Sequence, residues 1–72
     1  MSQVIVSDRD FIGQMPPLSA DVGTFYVFHK SDDTGLPWKV AKIVASGGSC
    51  VIAAFWMKLD AMDWANKEAQ KS

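Results

Sequence analysis

Residues 50–57 (CVIAAFWM) form an apolar segment without a single charged side chain. A strand with one face in solvent alternates apolar and polar residues, whereas this segment has no polar face. The pattern predicts a strand that is buried on both sides, either central in a sheet or covered by a partner. The segment is far shorter than the roughly 20 apolar residues that a membrane span needs.

An amphipathic helix is predicted directly after this segment, over residues 60–71. Asp60 is suited to cap its first turn, and Asp63 lies close to the positive end of the helix dipole. At 100° per residue, one broad face collects the apolar side chains Ala61, Met62, Trp64, Ala65 and Ala69. Three small alanines on this face favour close packing of the helix on a sheet.

Two further strands are predicted over residues 24–30 (TFYVFHK) and 38–45 (WKVAKIVA), with turns at 31–37 and 46–49. In strict alternation Lys39 and Lys42 fall on opposite faces, and a bulge between them would bring both to one face. Prolines 16 and 17 keep residues 15–18 extended.

The predicted fold is a single α+β domain over residues 1–72. A three- (possibly four-) stranded antiparallel β-meander over residues 24–57 carries the C-terminal helix 60–71 on one face. Residues 1–22 are expected to add an edge strand or an arm that covers the core.

Composition limits the chemistry open to the chain. A domain of 72 residues buries only about 60% of its unfolded surface, and small domains often add disulfides, metals or oligomerisation. Cys50 is the single cysteine and His29 the single histidine, which excludes an internal disulfide and leaves too few donors for structural zinc. We predict no cofactor and no metal site. The lone cysteine and the lack of a basic leader favour the cytoplasm.

No catalytic residues are predicted either. Cys50 and His29 would be a nucleophile and base only if their strands paired in a suitable register, and a buried cysteine is usually a small apolar residue. Asp33, Thr34 and Gly35 match the tripeptide of aspartic proteases, but they follow polar residues rather than an apolar strand and are typical of a turn. We expect a protein that is not an enzyme.

One helix cannot cover both faces of three strands, so apolar surface should remain for a protein partner, either a larger protein or a second copy. The interface candidates are Phe28, Trp38, Trp56 and Met57. An adaptor or inhibitor of the bacterial or phage accessory type, such as an inhibitor of host defence, fits this description.

A nucleic-acid-binding domain is the alternative. Tyr26 and neighbouring rings would stack on bases, while Lys30, Lys39 and Lys42 would contact phosphates. The net charge of −1 gives this alternative no general electrostatic support.

Overall fold

A mixed β-sheet carries one α-helix on one face in the computed structural model, which describes residues 3–13, 20–32, 34–45 and 48–71. The elements in chain order are β1 (Val4–Asp10), β2 (Phe25–His29), β3 (Trp38–Ala45), β4 (Gly48–Phe55) and α1 (Lys58–Lys71). The predicted α+β class is confirmed. The predicted extended segment 15–18, Asp33 and the hairpin residues Ser46 and Gly47 lie outside the described residues.

The sheet has the strand order β1-β2-β3-β4. Strands β2, β3 and β4 form the predicted antiparallel meander, and β1 adds a fourth strand parallel to β2. This first strand continues to Asp10, through the polar residues Ser7, Asp8 and Arg9. It can do so because its register shifts between Val6 and Asp10, where Asp10 becomes the partner of His29.

The predicted bulge between the two lysines of β3 is wrong. Pairing of β2 with β3 is continuous, so Lys42 lies opposite Phe25 and Lys39 lies opposite Phe28 on the other face of the sheet. Two irregularities occur in the pairing of β3 with β4 instead: the second leaves Val44 of β3 as an additional residue between Ile43 and Ala45, and the first lies in β4. Val40 pairs with Ala53 and Ala41 with Val51, which leaves Ile52 as the additional residue.

Helix α1 begins at Lys58, before the predicted cap, and Asp60 therefore lies inside its first turn. A carboxylate there still stabilises the helix, because the dipole is positive at this end. The alanine face packs on the sheet as the spacing predicts. Its buried members are Ala61, Ala65 and Ala69, which share a cluster with Phe25, Val27 and Val40 and with the partly buried Met62 and Trp64.

The second face of the sheet is covered over β2 and β3 by the connection that follows β1. Phe11 stacks on Phe28 with ring centroids 4.9 Å apart, and both are buried with Ala41 and Ile43. The first residues of the chain thus supply both the edge strand and a covering arm. The predicted open apolar face is therefore not found at β2 and β3.

The position of β4 contradicts one of the two predicted alternatives, a strand central in the sheet, and leaves the other, a strand covered by a partner, as a prediction. Strand β4 is an edge strand in the described sheet, and its residues 49–52 are exposed rather than buried on both sides. Hydrophobicity alone does not fix the order of strands, and β1 pairs with β2 rather than with β4. In the described part of the chain, no helix has the length and apolar character needed to cross a membrane.

Candidate functional site

The outer edge of β4 is the first candidate site. Within the described sheet β4 pairs only with β3, so one row of its backbone N–H and C=O groups faces outward. Edge strands are usually protected from pairing by lysine, proline or inward-pointing charges. The sequence of β4, GSCVIAAF, contains none of these. A bulge at Ile52, which is another device that protects edges, interrupts the strand, so among the described residues the edge is free for an added strand on either side of Ile52.

Large apolar side chains are exposed along β4, in the bend that follows it and in the first turn of α1. We call this set the β4 surface; its members and exposed fractions are Val51 (47%), Ile52 (42%), Trp56 (69%), Met57 (60%) and Leu59 (72%). Val51 lies opposite Ala41 on the face away from the helix. Trp56 and Met57 lie in the bend between β4 and α1, outside both the sheet ladder and the helix, which explains why neither element buries them.

The predicted interface residues divide between this surface and the interior. Trp56 and Met57 belong to the β4 surface, whereas Phe28 is fully buried and inaccessible, because β2 is an inner strand and Phe11 covers it. Trp38 is partly buried against the helix-face cluster, with its ring between His29, 4.8 Å away, and the Lys58 ammonium, 5.8 Å away. The sequence analysis missed the other three members of the β4 surface.

The residues of the nucleic-acid alternative do not form one patch. Lys30 binds Asp32 at 2.7 Å, Lys42 lies 5.7 Å from the Phe25 ring on the helix face, and Lys39 lies on the opposite face. Tyr26 is partly buried against the rings of the second face.

The potential nucleophile and base are also apart. Cys50 is exposed on β4 opposite Lys42, while His29 pairs with Trp38 at the other end of β3. Strand β3 separates them. Among the residues that the structure describes, no group of three or more His, Cys, Asp or Glu side chains could hold a metal ion.

A cleft lined by charged, hydroxyl and aromatic side chains is the second candidate site. Its volume is about 250 Å³, and it is lined by Ser7, Arg9, Asp10, His29, Trp38 and Lys58. Strands β1 and β2 end here, while β3 and α1 begin here. No sequence motif predicted this cleft, because its described residues come from four separate elements.

Asp10 organises one wall of the cleft. Its carboxylate lies 2.7 Å from His29 Nδ1 and accepts hydrogen bonds from the Ser31 backbone N–H at 3.2 Å and from the Ser31 hydroxyl. The hydrogen bond from the Ser31 hydroxyl, followed by that from His29, lowers the pKa of Asp10, so the group is a carboxylate at neutral pH.

A second carboxylate secures the neighbouring turn. Asp32 accepts hydrogen bonds from Lys30 Nζ at 2.7 Å and from the Gly13 backbone N–H at 2.6 Å. The Lys30 side chain and then the Gly13 amide lower the pKa of Asp32. Gly13 has a positive φ of 77°, a conformation that glycine adopts without strain. This turn therefore holds the covering arm close to the end of β2.

Comparison with protein-family models, with curated proteins and with solved structures found no match to this chain. The functional argument accordingly rests on the two surfaces just described. One is apolar with an open strand edge, and the other is a small cleft with basic side chains.

Proposed function

We propose that this protein is a non-enzymatic protein-interaction module that binds its partner through β4. The observation that carries the proposal is an uncharged, proline-free edge strand of eight residues that pairs on one side only in the described sheet. Pairing with an added strand would supply main-chain hydrogen bonds, as in other proteins that bind extended segments at a sheet edge.

Exposed apolar side chains beside the edge support the same conclusion. Burial of apolar surface contributes about 25 cal/mol per Å², and a tryptophan buries about 150–250 Å² in a well-packed interface. Trp56 is exposed and adjoins Met57, and both residue types are enriched at the centre of protein interfaces. Backbone pairing along β4 would give affinity, while Trp56 and its neighbours would give specificity.

The partner is either a larger protein, on which the chain acts as an adaptor or inhibitor, or a second copy. A net charge of −1 creates little repulsion between two copies. In a two-fold dimer, β4 would pair antiparallel with the same strand of the second chain. We place this activity in the cytoplasm, where the exposed Cys50 stays a free thiol.

Nucleic-acid binding has weaker support. Lys39 and Lys42 lie on opposite faces of the sheet, and Lys30 forms an ion pair with Asp32. Phe25 and Phe28 are buried in the two clusters. A single basic and aromatic surface, as binding modules for single-stranded nucleic acid use, is not assembled from these residues.

The proposal is tested by capture of partners with the wild-type chain and with Val51→Lys and Trp56→Ala variants. A charge in the middle of the edge and the loss of the exposed indole should each reduce capture about tenfold or more. Val22→Lys is the matched control, because Val22 is 65% exposed and lies outside β4. If the β4 variants fold and capture the same proteins as Val22→Lys does, the proposal is wrong.

Light scattering distinguishes the two kinds of partner. A mass near 7.9 kDa at high concentration indicates that the partner is a different protein. Twice that mass, lost in Val51→Lys and kept in Val22→Lys, indicates a second copy paired through β4.

A further inference from the structure

The cleft at the end of β1 has an excess of positive charge. Among the described residues that line it, Arg9 and Lys58 are basic and Asp10 alone is acidic. The chain as a whole has more acidic than basic residues, seven Lys and Arg against eight Asp and Glu. The cleft therefore differs in sign from the average of the molecule.

The one carboxylate of the cleft is already bound within the protein. Asp10 takes His29 and both donors of Ser31 as partners. In the described part of the chain, neither the Arg9 guanidinium nor the Lys58 ammonium forms an ion pair with a carboxylate. Two positive charges thus face the cleft, and no carboxylate among the described residues forms an ion pair with either of them.

The helix adds to this field. Lys58 is the first residue of α1, so the positive end of the helix dipole lies at the cleft. Asp60 in the same turn does not line the cleft. The His29 ring, held through Nδ1 by Asp10, forms the wall of the cleft with the Trp38 ring, whose centroid is 4.8 Å away.

We propose that this cleft binds the phosphoryl group of a phosphate monoester. Such a group has a charge of about −1.5 to −2 at pH 7 and three acceptor oxygens, which match the two cations of the cleft. The planar fork of Arg9 suits two phosphoryl oxygens, and Lys58 supplies a mobile point charge. A carboxylate ligand would have a single charge and would leave one of the two cations without a partner. The site is separate from the β4 surface and does not depend on the function proposed for it.

The proposal is tested by nuclear magnetic resonance titration of the ¹⁵N-labelled chain in buffer free of phosphate, at constant ionic strength. The probes are inorganic phosphate, phenyl phosphate and, as the carboxylate probe, benzoate. Both phosphate probes should shift the Trp38 indole N–H signal in a saturable way and leave unchanged the amide signal of the exposed Val22, which adjoins Gly23 and the opposite end of β3. Benzoate should bind at least about tenfold more weakly, because it brings only one charge.

Charge variants assign the site. Arg9→Gln and Lys58→Gln should each weaken phenyl phosphate binding about tenfold, the effect expected for loss of one charge-assisted hydrogen bond. Arg9→Lys should retain part of the affinity, since it keeps the charge and loses the fork. Lys67→Gln is the matched control: it makes the same change in net charge but pairs with Asp63 on the exposed side of α1, and it should bind as the wild type does.

Four results would overturn the proposal. The first is the absence of a saturable Trp38 shift with phenyl phosphate, and the second is an equal affinity for benzoate. The third is binding of inorganic phosphate but not of phenyl phosphate. The fourth is undiminished binding of phenyl phosphate in folded Arg9→Gln and Lys58→Gln variants. Dispersed amide spectra of each variant show that it is folded. A change in the Lys67→Gln control as large as in the cleft variants would likewise contradict the assignment.

Discussion

Asp10 joins three parts of the chain at one end of the sheet. It ends β1, pairs with His29 at the end of β2, and accepts hydrogen bonds from Ser31 in the following turn. Parallel pairing of β1 with β2 is non-local and has no hairpin to fix its register. The bonds of this one carboxylate therefore hold the end of β1 in place and shape the cleft.

We expect Asp10→Asn to lower the midpoint of thermal unfolding at pH 7. The pKa of Asp10 is lower in the folded chain, so its contribution to stability is present above the unfolded value of about 3.9 and is lost as pH falls through the folded value. The difference between wild type and variant should accordingly be largest at neutral pH and shrink below about pH 4. Thermal unfolding followed by circular dichroism at several pH values measures it.

Asp21→Asn is the control for this experiment, because Asp21 is exposed and its backbone carbonyl, not its carboxylate, bonds Thr24. It should unfold at the wild-type temperature at each pH. An Asp10→Asn variant with a constant deficit from pH 7 to pH 3 would contradict the role given to the ionised carboxylate.

Single residues also show where sequence reasoning stops. Phe28 was predicted at an interface because β2 is rich in aromatic residues, but Phe11 covers it. The pattern of residues within β2 gives no information about the Phe11 ring, which follows β1 in the chain and packs on Phe28. Arg9 and Lys58 line one cleft because of the parallel pairing of β1 with β2 and the position of α1. Local sequence patterns do not predict either of these.

At the scale of elements, the sequence predicted which side chains share a face within one helix or strand. It did not predict which strands lie next to each other in the sheet. The alanine spacing predicted the buried face of α1, and the limits of β3 agree with residues 38–45. The apolar run at 50–57 predicted a strand that is either central in the sheet or covered by a partner, and β4 lies at the edge of the described sheet. A run without charges indicates burial, and burial against a partner gives the same pattern as burial in a sheet.

The alanine face of α1 predicts a strong dependence on side-chain size. Ala65→Leu should lower the free energy of unfolding by about 1–3 kcal/mol, because Ala65 is fully buried and a larger side chain would push the helix away from the sheet. Chemical denaturation measures the change.

Asn66→Leu provides the comparison, since the neighbouring residue is exposed. Its effect should stay within about 0.5 kcal/mol. Equal effects of the two substitutions would show that the helix does not pack through its alanine face.

At the scale of the whole molecule, three strands run in the same direction. Strands β1, β2 and β4 all end where α1 begins, which places the cleft and the bend with Trp56 and Met57 at one end of the sheet. The two sites differ in chemistry, one apolar and the other cationic. The sequence predicted exposed Trp56 and Met57 as interface candidates, but it predicted no cleft.

We expect the two sites to act independently. Val51→Lys should bind phenyl phosphate with the wild-type affinity, and Arg9→Gln should capture protein partners as the wild type does. The two sites have no residue in common, and Val51 lies on the face of the sheet away from the helix. Titration and capture with both variants measure this, and a loss of both activities in either folded variant would contradict it.

The central claim is that the edge of β4 pairs with the partner. Hydrogen–deuterium exchange, measured for the free chain and for the chain in complex with the protein it captures, tests this claim most directly. We predict that amides in Gly48–Phe55 gain protection in the complex, because outward N–H groups of an edge strand exchange readily until another strand bonds them, while Val4–Asp10 exchanges as before. Unchanged exchange throughout β4, with protection gained only elsewhere, would contradict the account.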